Sequence, residues 1–490
     1  MLEDIYIPPP EFPIQATNSI DPVNLISTFA GCQLIFESDC QFINCSASNF
    51  IGGGMSAYIN NEGSLIQCLG ELLFDNCSSS IIGGGALLNI GDKASIELNK
   101  VTCIDCKSGQ GAGLNIQLNF NSYFAISGQA SFTKCEGSGT GGGICLINQG
   151  ENVEIKLTGS IEFVDCIGNS GGGMYISSNI DSIIQITGQL SFDNCSSLYY
   201  GGGLFLEISE SQLSFENLIS FKDCSAETGG GIYTEIGEGG QLKLIKQSIF
   251  TECKSTSGSG GGIYSDIIDG SLNIKDTTFE SCTCTQSGNG GGIALIQGIS
   301  SIISITNSSF IDCKTISNSS DQRYGWGGAI FIQTQIDAEN LNQTYFLMRD
   351  LIFTGSEAVN SIGNNIHIQS SNTYNTGIVI ALNSLLTVKD TPNLYTSPEY
   401  SNYYMGIDQS KVIDGNEPYS DHEPLFVAAQ TDSVTKQYYI RSFNSFDEND
   451  CSSTSPCKTI NYILSQTLPE GFVKGLSVAI INMYIYSMHC

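Results

Sequence analysis

The chain has 490 residues, 55 of them glycine, and a formal net charge of −30 from 49 acidic and 19 basic side chains. Neutralising phosphate needs clustered Lys and Arg, so this balance excludes nucleic acid as a partner and disfavours polyanionic sugars and anionic membranes. Charged residues make up 14% of the chain, against about 25% in an ordinary soluble protein, which suits a β-rich surface better than a helical one.

Residues 1–30 lie before the repeats and read as a lead-in or cap. Met1-Leu-Glu-Asp-Ile-Tyr-Ile lacks the basic start and apolar run of a signal peptide. The expectation is an intracellular protein or a fragment of a longer product. No stretch reaches the roughly 18 apolar residues of a membrane span, so no transmembrane segment is expected.

From 31 to 387 one unit recurs. Phe and Cys stand three apart at Phe42 and Cys45, then Phe74 and Cys77, with Cys103 replacing Phe before Cys106. The series continues as Phe132 and Cys135, Phe163 and Cys166, Phe192 and Cys195, and Phe221 and Cys224. It ends with Phe250 and Cys253, Phe279 and Cys282, and Phe310 and Cys313. Successive second cysteines are 29 to 32 residues apart. After each pair comes a glycine cluster, as at 141–143, 171–173, 201–203 and 260–262, and at 327–328 for the last.

Each cluster opens a short segment of period two, such as Met174 and Ile176 or Leu204 and Leu206, which is a strand with one apolar face. In the last repeat the first two apolar positions read as Ala329 and Phe331. A second strand precedes each Phe, as in Ile155 and Leu157, and the Phe/Cys unit makes a third. No single unit can bury its apolar face, but stacked copies can. The fold expected is all-β: a parallel β-helix solenoid of about eleven coils of about 29 residues. Phe and Cys cannot both point inward from a flat strand, so a corner or bulge must separate them. An eleventh, degenerate coil is expected through Phe353, with the strand-like 377–382 closing the rod. Residues 388–436 read as a linker or irregular cap, and 437–490 as a second unit.

The alternation of Phe-x-x-Cys with Gly-Gly-Gly-Ile resembles the repeats of polymorphic outer membrane proteins, and Trp326-Gly-Gly-Ala-Ile330 matches their second motif directly. That family belongs to the pectin-lyase-like, right-handed parallel β-helix superfamily. The likeness covers roughly residues 40–370 and implies a right-handed coil and a cell-surface or extracellular, adhesive role. Cys stands here where the family has Asn, so an amide ladder is not implied. The tail from Tyr438 through Cys451-Ser-Ser-Thr-Ser-Pro-Cys457 resembles the opening of a further, truncated pectin-lyase-like domain, and Cys451 and Cys457 are its candidate disulfide.

Candidate chemistry is sparse. The cysteine column is read as small buried hydrophobes or, alternatively, as disulfides between coils. No Cys/His cluster has zinc-ligand spacing, and there are three His in all. The residue before each ladder Cys (Asn44, Asn76, Asp105, Lys134, Asp165, Asn194, Asp223, Glu252, Ser281, Asp312) forms an outward column. It is either a solvated face or a calcium ladder; no other cofactor is expected.

Tyr175, Phe205, Tyr233 and Tyr264 form a stripe, read as exposed, that serves as a binding face for protein or glycan or else packs under a loop. Six Asn-x-Ser/Thr sequons, at Asn44, Asn76, Asn194, Asn307, Asn318 and Asn342, allow secretion without demanding it. No catalytic constellation stands out. The function expected is a non-enzymatic, adhesin-like scaffold. A polysaccharide lyase or glycoside hydrolase of the same fold is the alternative, and its first suspects are Asp321, Arg323, Asp337, Glu339, Arg349 and Asp350 in the one long insertion.

Overall fold

The computed structural model describes residues 14–17, 23–27, 31–47, 51–285, 288–316, 325–413, 415 and 417–426. All lie in the first of two units, which ends at Gln430. The second unit, with Cys451 and Cys457, lies outside the described residues, as do Asn318, Asp321 and Arg323.

The described chain is an all-β parallel solenoid. Like residues face like residues about one repeat apart: Phe163 pairs with Phe192, and Phe192 with Phe221. Three sheets run along it, of 21, 14 and 11 strands. The largest combines the Phe strands with the strands before them, because Leu65–Asp75, Ser95–Ile104 and Phe346–Thr354 each run through both positions. The glycine-led strands form the second sheet, among them Ile144–Asn148, Met174–Ser178, Leu204–Ile208 and Ile232–Ile236.

The third sheet was not foreseen. Its strands directly follow the ladder cysteines, and several are only two residues long, such as Ser225–Ala226 and Lys254–Ser255. Its signal was small residues two places after the ladder Cys, including Ser79, Ser108, Ala226 and Ser255, all buried.

The core is one continuous column of stacked rings and aliphatics. Successive Phe rings from Phe132 to Phe310 lie 4.7–5.0 Å apart with planes within 15°. Phe353 extends the stack at 5.3 Å. These rings are buried from Phe42 to Phe310, each retaining offset-stacking energy beyond its burial.

The glycine triplet 171–173 shows why three glycines are needed. Gly171 has φ +64°, a conformation that costs a side chain. A Cβ on Gly172 would collide with the carbonyl of Gly202 in the next coil, and one on Gly173 would lie 2.5 Å from the Phe192 ring.

The corner between Phe and Cys is present and has a simple form. The intervening residue is left-handed at every repeat: Asn44, Asn76, Asp105, Lys134, Asp165, Asn194, Asp223, Glu252, Ser281 and Asp312 all have φ between 50° and 55°. Asn and Asp tolerate this region best, which gives a backbone reason for their frequency in the column. In the eleventh repeat Gly355 takes the corner at φ +66° and Ser356 replaces Cys.

Two expectations need correction. In the last glycine repeat the strand starts at Ile330, so Phe331 faces outward opposite Ala294, and Ala329 stands for the third glycine. Residues 377–382 are helical, not a strand. The helix Thr373–Leu382 starts at Asn372, whose side chain accepts from the Asn375 N–H 2.8 Å away. It buries Thr373, Thr376, Gly377 and Ile380, a helical stripe that a short apolar run conceals.

The flanking segments also contribute rungs. Ile14–Thr17 pairs with Cys40–Ile43, Val23–Ser27 pairs with Met55–Ile59, and Tyr404–Asp408 adds a parallel rung inside the segment read as a linker.

Removing a rung of the ring column should be costly: Phe192→Ala is expected to lose about 3–5 kcal/mol in urea unfolding followed by circular dichroism. Lys134→Asn should instead gain up to about 1 kcal/mol by relieving the left-handed corner. A loss on that substitution would mean that the lysine does something the corner geometry does not describe.

Candidate functional site

Each glycine-led strand turns its second and fourth residues away from the ring column. Register then lines up Cys145, Tyr175, Phe205, Tyr233, Tyr264 and Ala294 in one row. Glu207, Glu235 and Asp266 line up in the parallel row beside it. The structure thus brings the four predicted aromatics together, but it does not leave them exposed. Tyr175, Phe205 and Tyr233 keep only 6–8% of their surface, and Tyr264 is half-buried. The glycine corner folds the preceding strand back along this row. Tyr200 on that strand lies 5.9 Å from the Phe205 ring and 4.5 Å from Tyr233.

Beside this row the exposed aromatics are those of the preceding strand, Ser196–Tyr200. Leu198, Tyr199 and Tyr200 are 59%, 45% and 40% exposed. Their counterparts on the neighbouring coils are polar: Tyr200 faces Ser170 on one side and Thr228 on the other. The signal was in the sequence as Leu198-Tyr-Tyr200 before a glycine triplet, where the two flanking repeats carry Ser170 and Thr228.

Electrostatics join the two rows. The Tyr175 hydroxyl donates to Glu207, and that of Tyr233 donates to Glu235 at 3.0 Å. Burial, reinforced by these carboxylates, holds both phenols well above their ordinary range. Burial, with Asp266 and Glu235 nearby, pushes Tyr264 up to about 12, and burial raises the Asp266 carboxyl. Stacked strands bring successive carboxylates within about 4.8 Å along the backbone. Among the described residues no Lys or Arg forms an ion pair with Glu207, Glu235 or Asp266.

The cysteine column is structural in its contacts. From Cys77 on, each ladder Sγ lies against the carbonyl oxygen of the residue at the Phe position one coil back: Cys166 to Phe132 at 3.3 Å, Cys195 to Phe163 at 3.5 Å, Cys224 to Phe192 at 3.5 Å. Cys253, Cys282 and Cys313 repeat this with Phe221, Phe250 and Phe279. Ser356 does so with its hydroxyl, 3.4 Å from the Phe310 oxygen. A small donor is what the position requires. All described cysteines are free thiols, and burial raises those of Cys195, Cys253 and Cys313 well above the usual range.

The catalytic suspects that are described do not converge. Asp337 accepts from Ser371 at 2.9 Å, Glu339 sits in the short helix Ala338–Asn340, and Asp350 occupies a left-handed corner at φ +56°. Arg349 forms no ion pair among the described residues, where no group of three or more His, Cys, Asp or Glu is placed to hold a metal. Glu154 and Asp181 share an open pocket of about 380 Å³, with Lys156 2.5 Å from the Glu154 carboxylate. No described helix is long and apolar enough to cross a membrane.

A second buried cluster closes the C-terminal end of the glycine-led sheet. His367 Nε2 lies 3.0 Å from His422 Nδ1, and the Trp326 ring stacks on His367 at 5.0 Å. Among the described residues, Nδ1 of His367 has no hydrogen-bond partner. Comparison with known proteins adds no relative, since no family model, curated protein or solved structure matches the chain.

The imidazole pair generates a pH dependence. Burial, then the neighbouring His422, lowers His367 well below its ordinary value of 6.5. Burial lowers His422 to about 4, against the opposing pull of Glu417 and Asp421. The unfolded chain therefore takes up protons first as pH falls. The stability held by this pair is complete above about 6.5 and is lost as pH drops toward 4. His422→Asn should flatten the fall in melting temperature between pH 7 and pH 4.5, a difference of about 1–3 kcal/mol. Identical slopes for both proteins would remove the pair from the acid response.

Proposed function

We propose that the chain is a non-enzymatic repeat scaffold, displayed at a cell surface or secreted, that binds a partner on the face carrying Tyr199, Tyr200, Glu207, Glu235 and Asp266. The observation that carries this is an exposed aromatic ledge beside a row of carboxylates with no cationic partner among the described residues. Apolar side chains grouped at a surface and rimmed by polar ones are a usual form of interaction site. The parallel coil, with its alternating Phe-x-x-Cys and Gly-Gly-Gly-Ile, supports the likeness to polymorphic outer membrane protein repeats. It also supports placement in the pectin-lyase-like superfamily. Right-handed winding accords with the strong preference of parallel strand crossovers.

A polysaccharide-cleaving role has one observation in its favour, the pocket shared by Glu154 and Asp181. Lys156 holds the first of these carboxylates, and the remaining suspects are dispersed. Location has a second reading too: the free thiols of the ladder suit a compartment that keeps cysteines reduced.

Incubating the purified protein with neutral and acidic polysaccharides should release neither reducing ends nor unsaturated sugars. Release that disappears on Glu154→Gln or Asp181→Asn would replace the scaffold with an enzyme. Alkylation and mass spectrometry of the protein from its native source tests the reducing location. Fully alkylated Cys195 and Cys224 fit either, whereas crosslinked ones would rule out a reducing compartment.

A further inference from the structure

Building on the scaffold proposal, we infer that the aromatic and acidic face docks a basic peptide segment of a partner protein. Three features point to cationic side chains. Glu207, Glu235 and Asp266 are stacked in register, and like charges facing each other directly across strands are destabilising. Their repulsion is relieved by neutralisation from outside, because none of the nine ion pairs among the described residues involves them.

The rings beside them are suited to the same partner. Tyr199 and Tyr200 stand exposed on a strand held from both sides by neighbouring coils, so they are fixed before binding. Tyr200 lies 4.5 Å from Tyr233, whose hydroxyl donates to Glu235. A chain of contacts therefore runs from the exposed rings through Tyr233 to the carboxylate row. An Arg or Lys side chain over a tyrosine face gains a cation–π interaction, and its charged head then has carboxylates within the same patch. Leu198, more exposed than either tyrosine, offers an apolar contact for the residues between the cations.

Other occupants fit less well. A uronic or sulfated glycan is repelled by the row and by the net charge of −30. A neutral glycan can stack on the rings but leaves the carboxylates uncompensated. A lone divalent ion prefers ligands converging from several directions, and a single file of strands does not supply that arrangement.

A chain this acidic attracts any polycation, so the test compares variants of equal charge. The probe is a short fluorescein-labelled peptide rich in Arg and Leu, followed by fluorescence anisotropy at about 0.15 M salt, where long-range attraction is screened. Glu207→Gln/Glu235→Gln/Asp266→Asn should weaken binding about tenfold. Tyr199→Ser/Tyr200→Ser, at exposed positions, should weaken it several-fold. Glu151→Gln/Glu162→Gln/Glu280→Gln removes the same charge from exposed sites elsewhere and should change it by less than about twofold. Far-UV circular dichroism confirms that every variant keeps its sheet.

Equal weakening by the two charge-matched triples overturns the inference in favour of diffuse attraction, and so does failure of the wild type to bind the peptide. A neutral oligosaccharide that binds and is lost on Tyr199→Ser/Tyr200→Ser assigns the face to a glycan instead. Those outcomes leave the scaffold standing. Only turnover of polysaccharide in the separate assay removes it.

Discussion

Every coil must set its corners directly over the corners of the coil beneath. Parallel strands about 4.8 Å apart leave no freedom to stagger, so whatever a residue does in one turn it repeats against its own counterpart in the next. Two corners carry this constraint. The glycine triplet allows backbone to pass against backbone, with an added methyl group blocked by the next coil's carbonyl at its second position and by a Phe ring at its third. The left-handed residue between Phe and Cys turns the chain so that both side chains enter the core. With the corners aligned, rings stack on rings and each thiol meets the carbonyl one coil back.

Stacking also multiplies whatever it places on the surface. A single glutamate on an exposed strand is unremarkable, but three in register repel one another along the row, and a tyrosine row beside them becomes a continuous apolar strip. In a globular domain a binding site gathers residues from distant segments. In a solenoid it is written as neighbouring columns, and it can end abruptly when one coil changes its residue. The aromatic row passes to Cys145 on one side and Ala294 on the other, and the tyrosines of Ser196–Tyr200 are confined to a single coil. Tyr200 has Ser170 and Thr228 as its counterparts in the two adjoining coils, so the patch is local.

The parts legible in the sequence are those that repetition enforces. Phe, the glycine triplets and the alternating aliphatics recur because each fills the same site in every coil, so spacing alone announced the parallel architecture. The Asn/Asp column was visible too, but its cause was not. Composition suggests a solvated face or metal ligands, whereas the backbone at Asp165 or Asn194 needs a residue that tolerates φ near +50°.

Of the two readings of Tyr175, Phe205 and Tyr233, exposed face or covered row, the structure has the covered one; alternation along a strand says only which way a side chain points. It does not say what folds over it. The covering element, a strand a few residues long after each Cys, is too short to leave a periodic signal. Where the repeat fades, local chemistry decides. Asn372 as an N-cap converts an apolar run that reads as a strand into a helix.

That fading follows from the same constraint that builds the coil. A parallel solenoid left unfinished presents a row of unpaired backbone groups and an open core, a template for further strands. Continuing the repeat cannot cure this, since each added coil recreates the edge. A different structure has to follow, and it does. The helix Thr373–Leu382 brings Gly377 against the backbone of Leu425, and His422–Pro424 pairs antiparallel with Tyr404–Asp408, the last parallel rung of the glycine-led sheet. Reversing the strand direction there covers the edge of that rung. The buried His367 and His422 pair lies at this reversal, so the one acid-sensitive contact described in the core sits where the template stops.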